Sequence, residues 1–210
     1  MGIYVGFDPG GFGAFGWAVA SGDSLPLKIT GHSLANHAQG AFAAAIECAS
    51  NAIDGIGIDA PLFWNPAGDR LVDQTVRRAI MQLGSHSATV GAINSLQGAC
   101  LIQGILVAIL CQSELARTIP ITESHPKALL WLLGLAAKNR KPDALSFRDL
   151  HGYVFSVPSE LMSEHERDAA LGAVAAFAAH SKKDGWQDLY SREINPVTPL
   201  KPPPGYWMPV

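Results

Sequence analysis

The residues best suited to chemistry in this sequence are three aspartates, Asp8, Asp59 and Asp168, with His165 beside the last of them. Asp8 ends the apolar, β-prone run Ile3-Tyr4-Val5-Gly6-Phe7, and Asp59 ends a second such run, Gly55-Ile56-Gly57-Ile58. If the strands carrying them are adjacent and parallel, the two carboxylates stand side by side at the carboxyl ends, where open α/β sheets place their ligand sites. Asp168 lies early in a helix whose continuation, Ala169–Ala179, is almost wholly apolar. His165 precedes it by three positions and shares its helix face. Carboxylates gathered in one place repel unless protons or a cation compensate. An oxygen-only donor set favours hard ions, Mg²⁺ or Mn²⁺. Two such ions about 3.5–4 Å apart activate water and stabilise the leaving oxygen of a phosphodiester.

Each residue alone also has an ordinary explanation. Asp8 before Pro9-Gly10 forms a turn, and Asp59 before Ala60-Pro61 punctuates a strand. Asp168 suits a helix dipole, and His165 suits a surface. Only the joint placement, two strand ends and one helix face, points to a site.

The elements that must position these groups follow from periodicity and turn residues. Ile3–Phe7, Gly16–Ala20 and Leu25–His32 form a predicted meander of three strands. Helical spacing covers Asn36–Ala52, and Gly55–Asp59 is a fourth strand, apolar on both faces as a central strand should be. Helices are expected over Asp69–Leu83, Ser95–Leu115, His125–Leu135 and Ser163–His180. A fifth strand, Thr118–Thr122, ends at Glu123. Ser163 and Glu166 form an S-x-x-E capping box that sets the start of the last helix. Strand order and crossovers describe an α/β domain with a five-stranded mixed sheet: the meander of three strands plus two parallel strands, flanked by helices. Residues 1–195 form one domain in this reading. Residues 196–210, with six prolines, are expected to be an irregular tail packed on it.

Composition narrows the field. The chain has 210 residues, 48% hydrophobic and 16% charged, which describes a globular domain and excludes a disordered one. The formal net charge of -3 is not that of a strong nucleic-acid binder. Lys138, Arg140 and Lys141, with Lys127 and Arg148, could still gather into a local basic surface near the acidic site. Cys48, Cys100 and Cys111 show no zinc spacing and read as buried side chains in a reducing cytoplasm. The uncharged stretch between Arg78 and Glu114 imitates a membrane span, but Asn94, Ser95, Gln97 and Gln103 interrupt it; a buried helix is expected, with no membrane partner. Gly11-Phe12-Gly13-Ala14-Phe15-Gly16 is a literal G-x-G-x-x-G. A strand follows it rather than a helix, so it reads as a hairpin beside Asp8 and not a dinucleotide fingerprint. There is no nucleophile elbow, P-loop or zincin-type histidine pair.

Val5-Gly6-Phe7-Asp8-Pro9-Gly10 followed by Gly16-Trp17-Ala18-Val19 resembles the opening of RuvC-type Holliday-junction resolvases, and His165-Glu166-Arg167-Asp168-Ala169 resembles their closing H-x-x-D-A helix. The middle is similar to another branch. Gly57-Ile58-Asp59-Ala60-Pro61-Leu62, then Arg70, Asp73 and Arg77, then Glu123-Ser124-His125-Pro126, and the closing Gly205-Tyr206-Trp207-Met208-Pro209 resemble the family of unknown function numbered 429 (DUF429), which are predicted RNase H-like nucleases. The likeness implies an RNase H-like fold and a Mg²⁺- or Mn²⁺-dependent nuclease. It implies Asp8, Asp59 and Asp168 as metal ligands, and Glu123 and His165 as auxiliary ligands or proton-transfer groups. Arg70, Arg77 and His125 would line the site and meet a phosphate. Resolvases typically place Glu rather than Asp on the fourth strand; the shorter carboxylate changes the metal geometry, so resolvase action itself does not follow. Such action would require a symmetric homodimer, which the sequence allows but does not mark. Two other functions remain open. One is an ATP-dependent phosphotransferase of the actin and sugar-kinase type, whose phosphate loop also begins Asp-x-Gly. The other is a non-catalytic binding protein that keeps the fold.

Overall fold

A computed structural model describes residues 1–50, 52–63, 70–90, 98–115, 117–156 and 163–210. Valine, isoleucine and aromatic residues in alternation build the first hairpin, in which β1 (Gly2–Asp8) runs antiparallel to β2 (Phe15–Gly22). Its turn closes with the Ala14 N–H donating to the Gly11 carbonyl at 3.0 Å. Gly13 takes a left-handed backbone there (φ 71°); glycine does this without steric cost. The glycine-rich segment is thus a hairpin turn, as expected. β3 (Leu27–Ala35) completes the meander against β2.

Helix α1 (Ala38–Cys48) leads to β4 (Gly55–Ile58), which lies parallel to β1 with Phe7 opposite Ile58. There follow α2 (Leu71–Gln82), α3 (Gly98–Glu114), β5 (Ile121–Glu123) parallel to β4, and α4 (Pro126–Leu132). The short α5 (Phe147–Leu150) and β6 (Phe155–Ser156) precede α6 (Glu164–Ser181). β7 (Gln187–Asp188) and β8 (Gly205–Met208) close the chain. The expected helix starts at Asp69 and Ser95 fall outside the described residues.

The expected five strands are eight among the described residues, in the order β6-β3-β2-β1-β4-β5-β8-β7. Two of the additions, β6 and β7, are two-residue pairings, too short to carry a periodicity. The third corrects the reading of the last residues as irregular. β8 pairs parallel with β5, with Glu123 opposite Tyr206. Its Tyr206 and Met208 are fully buried and alternate with more exposed neighbours. Neighbouring prolines made the segment read as coil, yet none falls inside the four paired residues.

Side chains alternate across this sheet into two cores. Val5, Phe7, Trp17 and Val19 face α1 and α3. Tyr4, Ala18 and Ala20 face α2, α4 and α6. The result is three layers, helix, sheet and helix. Helix α6 lies across the sheet centre and buries every residue from Arg167 to Ala178. Its approach depends on glycine: a Cβ on Gly6 would stand 1.7 Å from the Ala169 carbonyl oxygen, and one on Gly57 would stand 2.0 Å from that of Gly172. Among the described residues no helix is long and apolar enough to cross a membrane.

Candidate functional site

The parallel β1–β4 pair brings Asp8 and Asp59 together at adjacent strand ends. The Asp59 N–H donates to the Phe7 carbonyl at 2.9 Å, which fixes the register. Helix α6 crosses the same edge. Its start is set by the expected capping box: Ser163 Oγ accepts from the Glu166 N–H at 3.2 Å, and the Glu166 carboxylate accepts from the Ser163 N–H at 2.8 Å. Four residues later α6 delivers Asp168. Gly16 lets the first turn approach, since a Cβ there would lie 2.2 Å from the His165 carbonyl oxygen. His165 then shares a 2.6 Å hydrogen bond between its Nδ1 and Asp8 Oδ2.

The three aspartates therefore form one electrostatic unit. Burial, then Asp8, Asp168 and Glu123, push the Asp59 carboxyl well above the ordinary carboxylate range. Burial raises Asp8 too, against the opposing hydrogen bond from His165. Asp168 rises to about 6 through burial, although the Arg167 guanidinium opposes this. Its Oδ1 accepts from Arg167 Nε at 2.8 Å. The hydrogen bond to Asp8 raises His165, which stays partly exposed. Asp59 is partly buried as a residue, and its carboxylate has no hydrogen-bond partner among the described residues. Cys100 on α3 places its Sγ 3.7 Å from the Asp59 carbonyl oxygen. Burial and the nearby carboxylates push its thiol up to about 12.

A second cluster lies beneath the first. Glu123, at the end of β5, is fully buried and its two oxygens accept from Arg70 Nη1 and Nη2 at 3.0 and 2.8 Å. It also accepts from the Leu62 N–H at 2.9 Å. Arg70 donates its Nε and Nη2 to Asp73, both at 2.7 Å. Burial raises Glu123 to about 7 in spite of the Arg70 charge. His125 meets the Tyr206 hydroxyl at 3.1 Å, and burial lowers it to about 4, so it stands neutral.

These contacts correct part of the expected site. Arg70, 1% exposed and saturated by two carboxylates, is not a surface cation for a phosphate; it holds Glu123 and Asp73 in place. His125 is a neutral partner of Tyr206 rather than a charged liner. Arg77 donates Nε to the Val90 carbonyl at 3.1 Å, so it braces the segment after α2. Glu123 stays close enough to raise Asp59 but is occupied by Arg70.

Arg167, Tyr206 and Lys127 matter here beyond their sequence signals. Neighbouring positions on a helix do not normally face each other, so nothing in the spacing marks Arg167 as the partner of Asp168. The carboxylate donor set, with an unpartnered Asp59 between two other acids, has the chemistry a hard dication requires. Among the described residues, however, no three His, Cys, Asp or Glu side chains stand grouped as ligands. Asp8 and Asp168 are instead turned to His165 and Arg167.

No protein-family model matches the chain, and no curated protein matches it.

Proposed function

We propose that this protein is a metal-dependent hydrolase of nucleic-acid phosphodiester bonds, built on an RNase H-like sheet. The meander β3-β2-β1 continued by parallel β4 and β5 supports the fold reading. The resemblance of the strand-end and α6 motifs to RuvC-type resolvases and to the DUF429 family supports the activity. The observation that carries it is the meeting of Asp8, Asp59 and Asp168 at one sheet edge, with the Asp59 carboxylate unpartnered among the described residues and its proton affinity raised by both Asp8 and Asp168.

In this reading Asp8, Asp59 and Asp168 would hold Mg²⁺ or Mn²⁺, whose chemistry would be to activate a water and neutralise charge on the leaving oxygen. Asp8 and Asp168 would have to leave their pairs with His165 and Arg167, and the raised carboxyls would have to give up their protons, to serve as ligands. His165 is exposed enough to exchange protons with solvent and is oriented through Nδ1, so it moves protons at the edge of the site. Glu123 acts on Asp59 from beneath, by charge, while Arg70 fixes its position.

Calorimetric titration of Mn²⁺ and Mg²⁺ into the wild type and Asp8→Asn tests the reading. Saturable binding in the wild type that is lost in the variant, followed by metal-dependent cleavage of an oligonucleotide, is the expected result. A folded wild type that binds neither ion, even with an oligonucleotide present, overturns it and leaves a fold kept for binding.

A further inference from the structure

The protein is acidic overall, yet one cleft is basic. It lies between the segment after α2, residues 84–89, and the connector after α4, residues 138–143. Its volume is about 690 Å³, within the range of pockets that hold small organic ligands (roughly 300–1,000 Å³) and larger than a lone ion needs. Lys127, Lys138 and Lys141 line it against a single carboxylate, Asp143, and His86 adds a further nitrogen. Lys138 and Lys141 are exposed and make no ion pair among the described residues, so their charge is not spent internally. Arg140, by contrast, is tied to Asp149 at 2.8 Å and does not line the cleft.

Two observations connect this cleft with a ligand and with the carboxylate edge. Trp131, in its wall, is buried and its indole Nε1–H has no acceptor among the described residues; orphaned buried donors are rare and costly. Lys127 Nζ reaches Glu164 at 2.9 Å and Asp143 at 2.9 Å. Glu164 is the residue before His165, and the Lys127 charge is felt by both Asp8 and Asp59. The lysine is the hinge between a basic cleft and an acidic edge.

We infer that this cleft binds the phosphate groups of a nucleotide, free or within a nucleic-acid strand. Ammonium groups are compact point charges that suit phosphate oxygens. A pair with no internal partner gains the interaction without first breaking another. That a bound strand continues from the cleft to the carboxylates rests on the hydrolase reading; the binding of phosphate does not.

The test uses the full chain in EDTA, which separates binding from cleavage. A fluorescein-labelled single-stranded oligonucleotide and a labelled nucleoside triphosphate are titrated by anisotropy. The variants are Lys138→Glu/Lys141→Glu and, as a charge-matched control, Lys182→Glu/Lys183→Glu at the far end of α6. The cleft variant should weaken binding roughly tenfold or more, since attraction becomes like-charge repulsion, and should flatten the salt dependence by about 0.7 per lost contact for a single strand. The control should bind as the wild type does. Triphosphate binding that displaces the oligonucleotide identifies a free nucleotide as sufficient; oligonucleotide binding that triphosphate cannot displace identifies the strand. Equal losses in both variants, or no saturable binding of either probe by the wild type, overturns the inference. Retained binding with no cleavage on adding Mn²⁺ defeats only the hydrolase reading.

Discussion

Replacing Gly57 by alanine should move the helix that completes the site. The new Cβ would stand 2.0 Å from the Gly172 carbonyl oxygen, 2.6 Å from its carbon and 3.1 Å from its Cα. All three obstacles are backbone, so no rotamer change relieves them. Restoring an ordinary 3.4 Å contact requires α6 to retreat by about 1.4 Å along its closest approach. Overpacking of this kind costs about 1–3 kcal/mol, and a rigid backbone obstacle belongs at the upper end or beyond. For a chain of this length each kcal/mol lowers Tm by roughly 2–4 °C, so a cost near 3 kcal/mol predicts a fall of roughly 6–12 °C. Thermal unfolding followed by circular dichroism in EDTA measures it. Gly11→Ala is the internal control, because its Cβ would meet nothing within 4 Å; its effect should stay within about 0.5 kcal/mol. Asp168 rides on the same helix, so Gly57→Ala should also weaken Mn²⁺ binding, whereas Gly11→Ala should not. A Gly57→Ala protein melting within about 2 °C of the wild type would refute the claim that glycine sets the helix–sheet distance.

Two further substitutions probe the buried charges. Arg70→Met leaves Asp73 and Glu123 buried without their cation and should cost about 3–5 kcal/mol, read by urea unfolding; a loss under about 1 kcal/mol would contradict the ion-pair geometry. Asp59→Asn should stabilise the metal-free protein at high pH. The folded carboxyl is raised above its ordinary 3.8, so its contribution is most favourable at low pH and is lost as pH climbs from that value. The Tm gain should therefore be small near pH 4 and larger near pH 8, and the variant should gain nothing from added Mn²⁺. A gain that is flat with pH would show that Asp59 is not strained by its neighbours.

Much of this arrangement was legible from local pattern. Apolar runs ending at Asp8 and Asp59, and a capping box opening an alanine-rich helix, are signals carried within a few residues; the parallel pairing of β1 with β4, only a condition in the sequence, is what the structure supplies. What stayed hidden depends on distant pairing. Arg70 stands where the family resemblance implies a site liner, but its burial against Glu123 is decided by a residue 53 positions away. Tyr206 sits among prolines that obscure a four-residue strand, and only its parallel pairing with β5 makes it structural. Lys127, Lys138 and Lys141 form a cleft only because the segments after α2 and α4 face each other. Spacing within a sequence reports faces of single elements; it does not report which charges those faces will meet.

The bond between Asp8 and His165 joins positions 157 residues apart, and β8, still later in the chain, pairs with the strand that carries Glu123. Contacts of such span form late and slow folding. During synthesis the first strands leave the ribosome long before α6 can cover them, so one apolar face of β1 and β2 waits uncovered. That interval favours intermolecular association. It also means that the acidic edge cannot assemble before α6 has emerged: whatever chemistry it performs is withheld until the segment that carries His165 and Asp168 has been made.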